Sequence, residues 1–232
     1  NRPEVNVVTI EDPIEYDMKY INQTQINSLA GITFASGLRS ILRQDPNIIM
    51  VGEIRDEETA EIAVHSALTG HLLLSSLHTN DAATAVPRLI DMKVAPFLVA
   101  AVLNAIIAQR LIRKICIDCI ESYAPDQSII EFMQKQLKEF NPNSELKIPK
   151  FLYRGKGCQS CGNTGYHGRI GIYEVLNIDE EIRKLIIGLD FSLDGLNSLA
   201  RKKGMITMFE DGLRKISTGI TTVEELLRVI RE

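Results

Sequence analysis

Asn47-Ile-Ile-Met-Val-Gly-Glu-Ile-Arg-Asp56 sets the architecture of the chain. Its apolar run, Ile48 to Val51, is too short for a helix and fits a strand buried on both faces, as in a parallel sheet. Asp45-Pro46 punctuates the start, Gly52 ends the run, and Glu53 comes at once after it. In open α/β sheets, ligands bind beyond the carboxyl ends of strands, which is where Glu53 falls. Taken alone, the stretch reads equally well as a core strand followed by a solvated acidic loop.

The flanking sequence repeats the arrangement. Upstream, Val5 to Ile10 is a β-rich run that ends in Glu11-Asp12-Pro13-Ile14-Glu15, three carboxylates in five residues. Pro13 keeps that segment extended. Ile21 to Ile26 alternates as a weak edge strand. Thr33 to Gln44 places Phe34, Leu38, Ile41 and Leu42 on one helical face with Arg39 and Arg43 beside it. These arginines are either surface charges or phosphate-neutralising groups. Downstream, Asp56 caps a helix with Glu57 and Glu58 in its first turn, and Gly70 ends it. His71 and His78 flank a strand expected over Leu72 to Leu77, and Thr79-Asn80-Asp81 opens a helix reaching about Met92.

Strands alternating with helices imply a mostly parallel sheet with crossover helices. In such a sheet the acids after the first strand, Glu53 and Arg55 after the second, and His78 after the third emerge on one edge. A cluster of carboxylates and histidine there is suited to holding a divalent metal or activating water. Pro96 to Ile107 reads as an apolar helix that continues, with Gln109, Arg110, Arg113 and Lys114 interleaved, through Ile106 to Ile115.

Beyond this the character changes. Cys116-Ile-Asp-Cys119 and Cys158-Gln-Ser-Cys161 are the four cysteines of the chain. Two disulfides are one reading. The two-residue spacing is also that of metal knuckles, and four thiolates fill a tetrahedral zinc site and imply a reducing compartment. Between the pairs lie an amphipathic helix, Gln127 to Phe140, and a polar loop, Asn141 to Pro149. A strand follows over Arg169 to Leu176. From Asp179 onward the pattern is helical, and Thr222-Val-Glu-Glu225 is a capping-box start for the last helix. This small bundle shows no polar cluster of its own. The expected division is residues 1–115 as a partial sheet core, 116–176 as a tetracysteine subdomain and 177–232 as a helical subdomain.

The 232 residues are 45% hydrophobic and 24% charged with a net charge of -4. That is core enough for globular domains, and it offers no basic excess for nucleic acid or an anionic membrane surface. The longest apolar stretch, Val94 to Ile107, is broken by Pro96 and Asn104 and is too short to span a bilayer. No signal peptide is legible. The start at Asn1 without Met reads as part of a longer protein.

Together these motifs resemble the type II secretion and type IV pilus assembly ATPases, over essentially the whole chain. Thr9-Ile-Glu-Asp-Pro-Ile-Glu15 is similar to that family's aspartate box, Ile48 to Asp56 to its Walker B segment, and Gly70-His71 through His78-Thr-Asn80 to its histidine box. The two cysteine pairs with Gly165-Tyr-His-Gly-Arg-Ile-Gly171 are similar to its zinc element. The resemblance implies a RecA-like α/β core with an inserted zinc subdomain and a helical bundle. It also implies a cytoplasmic homo-hexamer at the inner membrane, coupled to a secretion platform and adaptor proteins. ATP with Mg2+ would be the substrate. Glu53 and Glu11 would be catalytic, His78, Arg55, Asp12 and His71 would lie on the nucleotide side, and Cys116, Cys119, Cys158 and Cys161 would ligate structural Zn2+.

The chain departs from the family in one respect. No Gly-x-x-x-x-Gly-Lys-Ser/Thr phosphate loop occurs in it. The resemblance therefore implies a carboxyl-terminal part carrying the water-activating half of a site, inactive alone, with secretion favoured over pilus assembly. A zinc-stabilised docking module that does not hydrolyse ATP is the competing reading.

Overall fold

The structure, a computed structural model, describes residues 2–140 and 148–230. Most of the expected loop Asn141 to Pro149 thus lies outside the described residues. The chain forms two compact units, residues 1–104 with 178–196 and residues 105–177 with 197–232.

The first unit is built on four parallel strands in the order β2-β1-β3-β4. These are β1 (Val7–Glu11), β2 (Ile21–Gln25), β3 (Ile48–Val51) and β4 (Leu72–Ser75). Val8, Ile10, Ile49 and Val51 are fully buried in the two central strands, as the unbroken apolar run requires. Helix α1 (Phe34–Ile41) starts from a reciprocal Thr33–Ser36 cap and buries Leu38 and Ile41. It lies directly on β1 at Gly37, where a β-carbon would fall 1.9 Å from Ile10 Cδ1. Helix α2 (Glu57–Leu68) begins as expected, with Asp56 accepting from the Thr59 N–H at 2.8 Å. Helix α3 (Ala85–Asp91) starts later than expected. Asp81 instead closes a turn by accepting from Thr84 N, which leaves Pro87 in the first helical turn, where no N–H is needed. Helix α4 (Pro96–Val102) has Pro96 in its first turn.

The second unit corrects one expectation outright. Ile106 to Ile115 is not helical but part of an eleven-residue strand, β5 (Ala105–Ile115). It pairs antiparallel with β8 (Tyr166–Asn177) from Ala105↔Asn177 to Ile115↔Tyr166. The apolar run breaks at Asn104, and beyond it burial alternates residue by residue from Ala105 to Ile112, sending Ile112 and, across the ribbon, Ile172 inward. A second ribbon pairs β6 (Ile120–Tyr123) with β7 (Leu152–Gly155). Helix α5 (Gln127–Phe140) lies between them in sequence. The chain then contributes α6 (Glu180–Ile187) to the first unit, followed by α7 (Leu193–Lys202), and returns to the second unit with α8 (Met208–Ser217) and α9 (Val223–Ile230). Met133 of α5, Leu152, Phe209 and Leu226 share one core with Ile112 and Ile172. A division at residue 176/177 therefore cuts through that core, and one at 115/116 separates β5 from the segment that continues it. Among the described residues no helix is long and apolar enough to cross a membrane.

Candidate active-site edge and tetracysteine centre

Parallel register places the carboxyl ends of β1, β3 and β4 side by side. Ile10 pairs with Val51, and Val51 pairs with Ser75. The pairing runs past the strands: Gly52 N donates to Ile10 O at 2.8 Å, and Ser76 Oγ donates to Gly52 O at 2.7 Å. Gly52 suits this approach, because a β-carbon there would sit tightly, 3.2 Å from Ile10 O and 3.4 Å from Glu11 Cα. Glu53 thus follows directly on the residue that lies against the Glu11 backbone.

Glu53 is the centre of the edge. Its side chain is 12% exposed, and one oxygen is paired with the Arg55 guanidinium. The other oxygen lies 2.8 Å from His78 Nε2. An ionised carboxylate only accepts, so the imidazole carries its proton on Nε2. The Arg55 hydrogen bond keeps the Glu53 carboxyl below its ordinary value against the opposing effect of burial, and His78 adds to it. His78 itself is 81% exposed. Residues 25 positions apart in sequence are thus joined in one triad on the solvent side of the sheet.

Glu11 is buried at the neighbouring strand end. Its Oε1 accepts from Thr9 Oγ1 at 2.5 Å and from Gln23 Nε2 at 2.9 Å. Asp12 is exposed and lies near enough to Arg55 to act on its charge, while Glu15 is exposed with no bond to the cluster.

His71 is placed differently from the sequence expectation. It precedes β4 and so lies at the amino edge of the sheet, a four-residue strand or about 13 Å from the carboxyl edge. There Nδ1 lies 3.0 Å from Ser66 O and 3.1 Å from Thr69 Oγ1, tying the ring to the end of α2. Arg39 of α1 is paired with Glu58 of α2 at 2.6 Å, both exposed, and Arg43 is exposed.

In the second unit the four cysteines meet. All four sulfurs lie within 4.8 Å of one another, and three pairs are 3.7 to 3.9 Å apart. A tetrahedron with metal–sulfur bonds of about 2.3 Å has edges of about 3.8 Å. A disulfide needs about 2.05 Å, and all four are free thiols. The spacing therefore fits one four-sulfur metal site and not two cross-links. Cys161 Sγ also accepts from the N–H groups of Cys158 (3.2 Å) and Gly165 (3.3 Å), which outweigh burial and bring that thiol to about 6. Burial pushes the Cys119 thiol up to about 12. Metal binding deprotonates both. Four ligands close the site and leave no position for substrate.

Sequence reasoning missed one cluster. The last helices do carry a polar centre. The Glu225 side chain is fully buried and takes five hydrogen bonds: from Arg113 N, Nε and Nη2, and from Arg228 Nε and Nη2. These donors outweigh desolvation and lower its pKa to about 2. The capping box forms only in half. Glu225 N donates to Thr222 Oγ1 at 3.2 Å, but the carboxylate turns inward to β5. Arg113 also covers the Tyr166 ring at 4.2 Å, and Tyr166 Oη bonds Thr222 Oγ1 at 2.8 Å.

Known proteins resemble this chain over nearly its whole length. A family model described as type II/IV secretion system protein matches residues 1–228. The type IV pilus assembly ATPase PilB of Thermus thermophilus is 50% identical over 225 residues, covering 97% of this chain and 24% of that protein. The type II secretion system ATPase E of Vibrio cholerae is 47% identical over 234 residues, covering 100% of this chain and 44% of that protein. Among solved structures, the pilus retraction motor PilT with bound ADP superposes with a TM-score of 0.64 at 28% identity, over 96% of this chain and 52% of that one. The chain thus spans less than half of the curated relatives it matches.

Proposed function

The chain belongs to the type II/IV secretion system protein family, and from that membership we propose that it is one portion of an ATP-hydrolysing motor for type II secretion or type IV pilus assembly. The observation that carries the reading is the Glu53 triad at the carboxyl edge, with buried Glu11 beside it. Glu53 accepts a hydrogen bond from the attacking water and aligns it with the γ-phosphate. Arg55 and His78 hold the carboxylate ionised and are the groups nearest the developing charge. Glu11, with Asp12, lies on the side suited to Mg2+. The phosphate-gripping loop comes from outside these 232 residues. The outer edge of β4, unpaired among the described residues and carrying half-exposed Leu72 and Leu74, offers a place for a further strand of the parent protein.

The four cysteines hold a structural Zn2+, as the sulfur spacing supports. By membership the parent works as a hexamer at the cytoplasmic face of the inner membrane, against a platform protein. The relatives divide between secretion and pilus assembly, and secretion is the branch we favour.

The test is Glu53→Gln in the full-length parent. Hydrolysis falls at least about 100-fold while ATP binding persists, as expected when a group that positions or deprotonates water is lost. Hydrolysis within fivefold of wild type overturns the assignment. The 232-residue chain alone turns over ATP only at background.

A further inference from the structure

The two glutamines of β2 play no part in the triad, yet both lie on the sheet face that carries Glu11. Register places Thr9 beside Gln23 and Glu11 beside Gln25, so the period of two puts all four side chains on one face of the sheet. Gln25 Oε1 accepts from Ile14 N at 3.4 Å. Gln23 is used more fully. Its Oε1 accepts from Met18 N at 2.8 Å, and its Nε2 donates to Tyr16 O at 3.0 Å and to Glu11 Oε1 at 2.9 Å.

This set fixes which way the amide points. Met18 N–H needs an acceptor, whereas Tyr16 O and Glu11 Oε1 need donors. A flipped amide would set its oxygen against both and its NH2 against an N–H. The orientation is therefore dictated by the backbone of residues 16–18, not by Glu11, and Glu11 meets a donor whose direction is already set. Thr9 Oγ1, on the other side, donates to the same Oε1 at 2.5 Å. Among the described residues Glu11 Oε2 takes no hydrogen bond, and it is not among the buried atoms left without one.

We propose that Gln23, with Thr9, is a positioning residue for Glu11: the pair anchors Oε1 so that Oε2 alone is presented to the reacting side, and the same amide holds the loop at Tyr16 and Met18. The proposal rests on the assignment of Glu11 above and adds to it the groups that aim it. A half-exposed glutamine on an edge strand would serve equally to pin a loop, so the two roles must be separated.

The experiment uses the full-length protein and four variants: Glu11→Gln, Gln23→Glu, Thr9→Val and the pair Gln23→Glu/Glu11→Gln. Gln23→Glu keeps the shape and the acceptor for Met18 N, but removes the donors to Glu11 and to Tyr16 O, so its exchange at residues 16–18 is read beside that of Thr9→Val, which leaves the loop bonds intact. Thr9→Val keeps the packing and removes the other donor. Hydrolysis kinetics are read with amide hydrogen exchange of residues 14–18. We expect kcat to fall at least tenfold in Gln23→Glu with KM for ATP within twofold, Thr9→Val to fall in the same sense, and the double variant to lose no more than Glu11→Gln alone, the non-additivity of coupled groups. Exchange at Met18 stays near wild type in Thr9→Val, so its loss of kcat has no loop component. If Gln23→Glu and Thr9→Val hydrolyse within twofold of wild type while Glu11→Gln is crippled, the positioning role is wrong and the Glu11 assignment stands. If kcat follows Met18 exchange across the set, Gln23 only pins the loop. If Glu11→Gln is harmless, the assignment of Glu11 fails and the positioning role fails with it.

Discussion

Glu53 and Glu225 are both carboxylates held by two nitrogen-donor side chains, and they are built for opposite ends. Glu53 has one side-chain donor per oxygen, each from a loop, and its partners Arg55 and His78 are 57% and 81% exposed. Glu225 has five hydrogen bonds and no exposed side-chain surface. A carboxylate that must accept a proton or a water has to be released by its neighbours at little cost, and long exposed side chains can swing away. A carboxylate buried with every lone pair engaged cannot be released without stranding a charge in a low dielectric. A charged pair is therefore to be judged by which groups hold it and how firmly. On that criterion the first unit carries the proposed reactive edge and the second carries fasteners.

The strongest effect should fall on the fasteners. The cysteine site and Glu225 are connected: Gly165 N–H bonds Cys161, and the next residue, Tyr166, lies against Arg113 and bonds Thr222 at the start of α9. Structural zinc in peptide-scale sites is worth about 10 kcal/mol or more at neutral pH. Chelation is expected to release one metal per chain and unmask four thiols, and Cys161→Ser to lose the metal and show three. Hydrogen exchange should then rise sharply across residues 116–123 and 152–166 and next in α9, with β1 to β4 unchanged. Equal loss of protection in the parallel sheet would erase the contrast between the units. Thiols that are blocked without metal would return the disulfide reading.

Glu225→Gln comes next. Breaking a buried ion pair by removing one charge costs about 3 kcal/mol or more, and thermal unfolding of the second unit should report a loss of that order. The acid limb gives an independent check. The folded pKa of Glu225, about 2, lies below its unfolded value near 4.5, so the proton binds the unfolded chain more readily. The stabilisation is therefore complete above about pH 4.5 and is lost as pH falls toward 2, a swing of about 3 kcal/mol. Wild type minus Glu225→Gln should show that slope. A difference independent of pH over that window would mean that Glu225 is not held ionised.

The sequence exposes these two carboxylates unequally, for physical reasons. Glu53 is legible because strand burial is a local signal: Ile48 to Val51 is apolar without interruption, Gly52 ends it, and a parallel sheet presents the next side chain at its carboxyl edge. Its bond to His78, 25 residues on, has no local signal and is suggested only by motif order. Glu225 is hidden by a local rule that is half true. Thr222-x-x-Glu225 does form a cap, but the carboxylate is claimed by Arg113, 112 residues away. The strand at Ile106 to Ile115 reads as helix because an apolar helix, α4, runs into it with only Leu103-Asn104 between, and a short apolar run does not distinguish helix from strand. His71 has no such local reading. It precedes β4, the two ends of one strand face opposite edges of a sheet, and its place on the nucleotide side is carried by the resemblance alone.

The slightest effect discriminates best between the two carboxylates. Glu53→Gln, the change that should abolish hydrolysis in the parent, should alter thermal stability of the first unit by less than about 1 kcal/mol. Its partners are exposed, and pairs of that kind contribute about 0 to 1 kcal/mol after screening and side-chain entropy. The amide introduced there would keep one oxygen for Arg55, and His78 would be free to hydrate. The same chemical substitution at Glu225 costs several times more while touching no reacting atom. Unfolding curves for the two variants, recorded in the same buffer at about pH 7 with unit-specific exchange as the readout, set the two side by side. A loss at Glu53 equal to that at Glu225 would mean that Arg55 and His78 clamp the carboxylate as a structural tie, and a group clamped that firmly could not serve as the base at this edge.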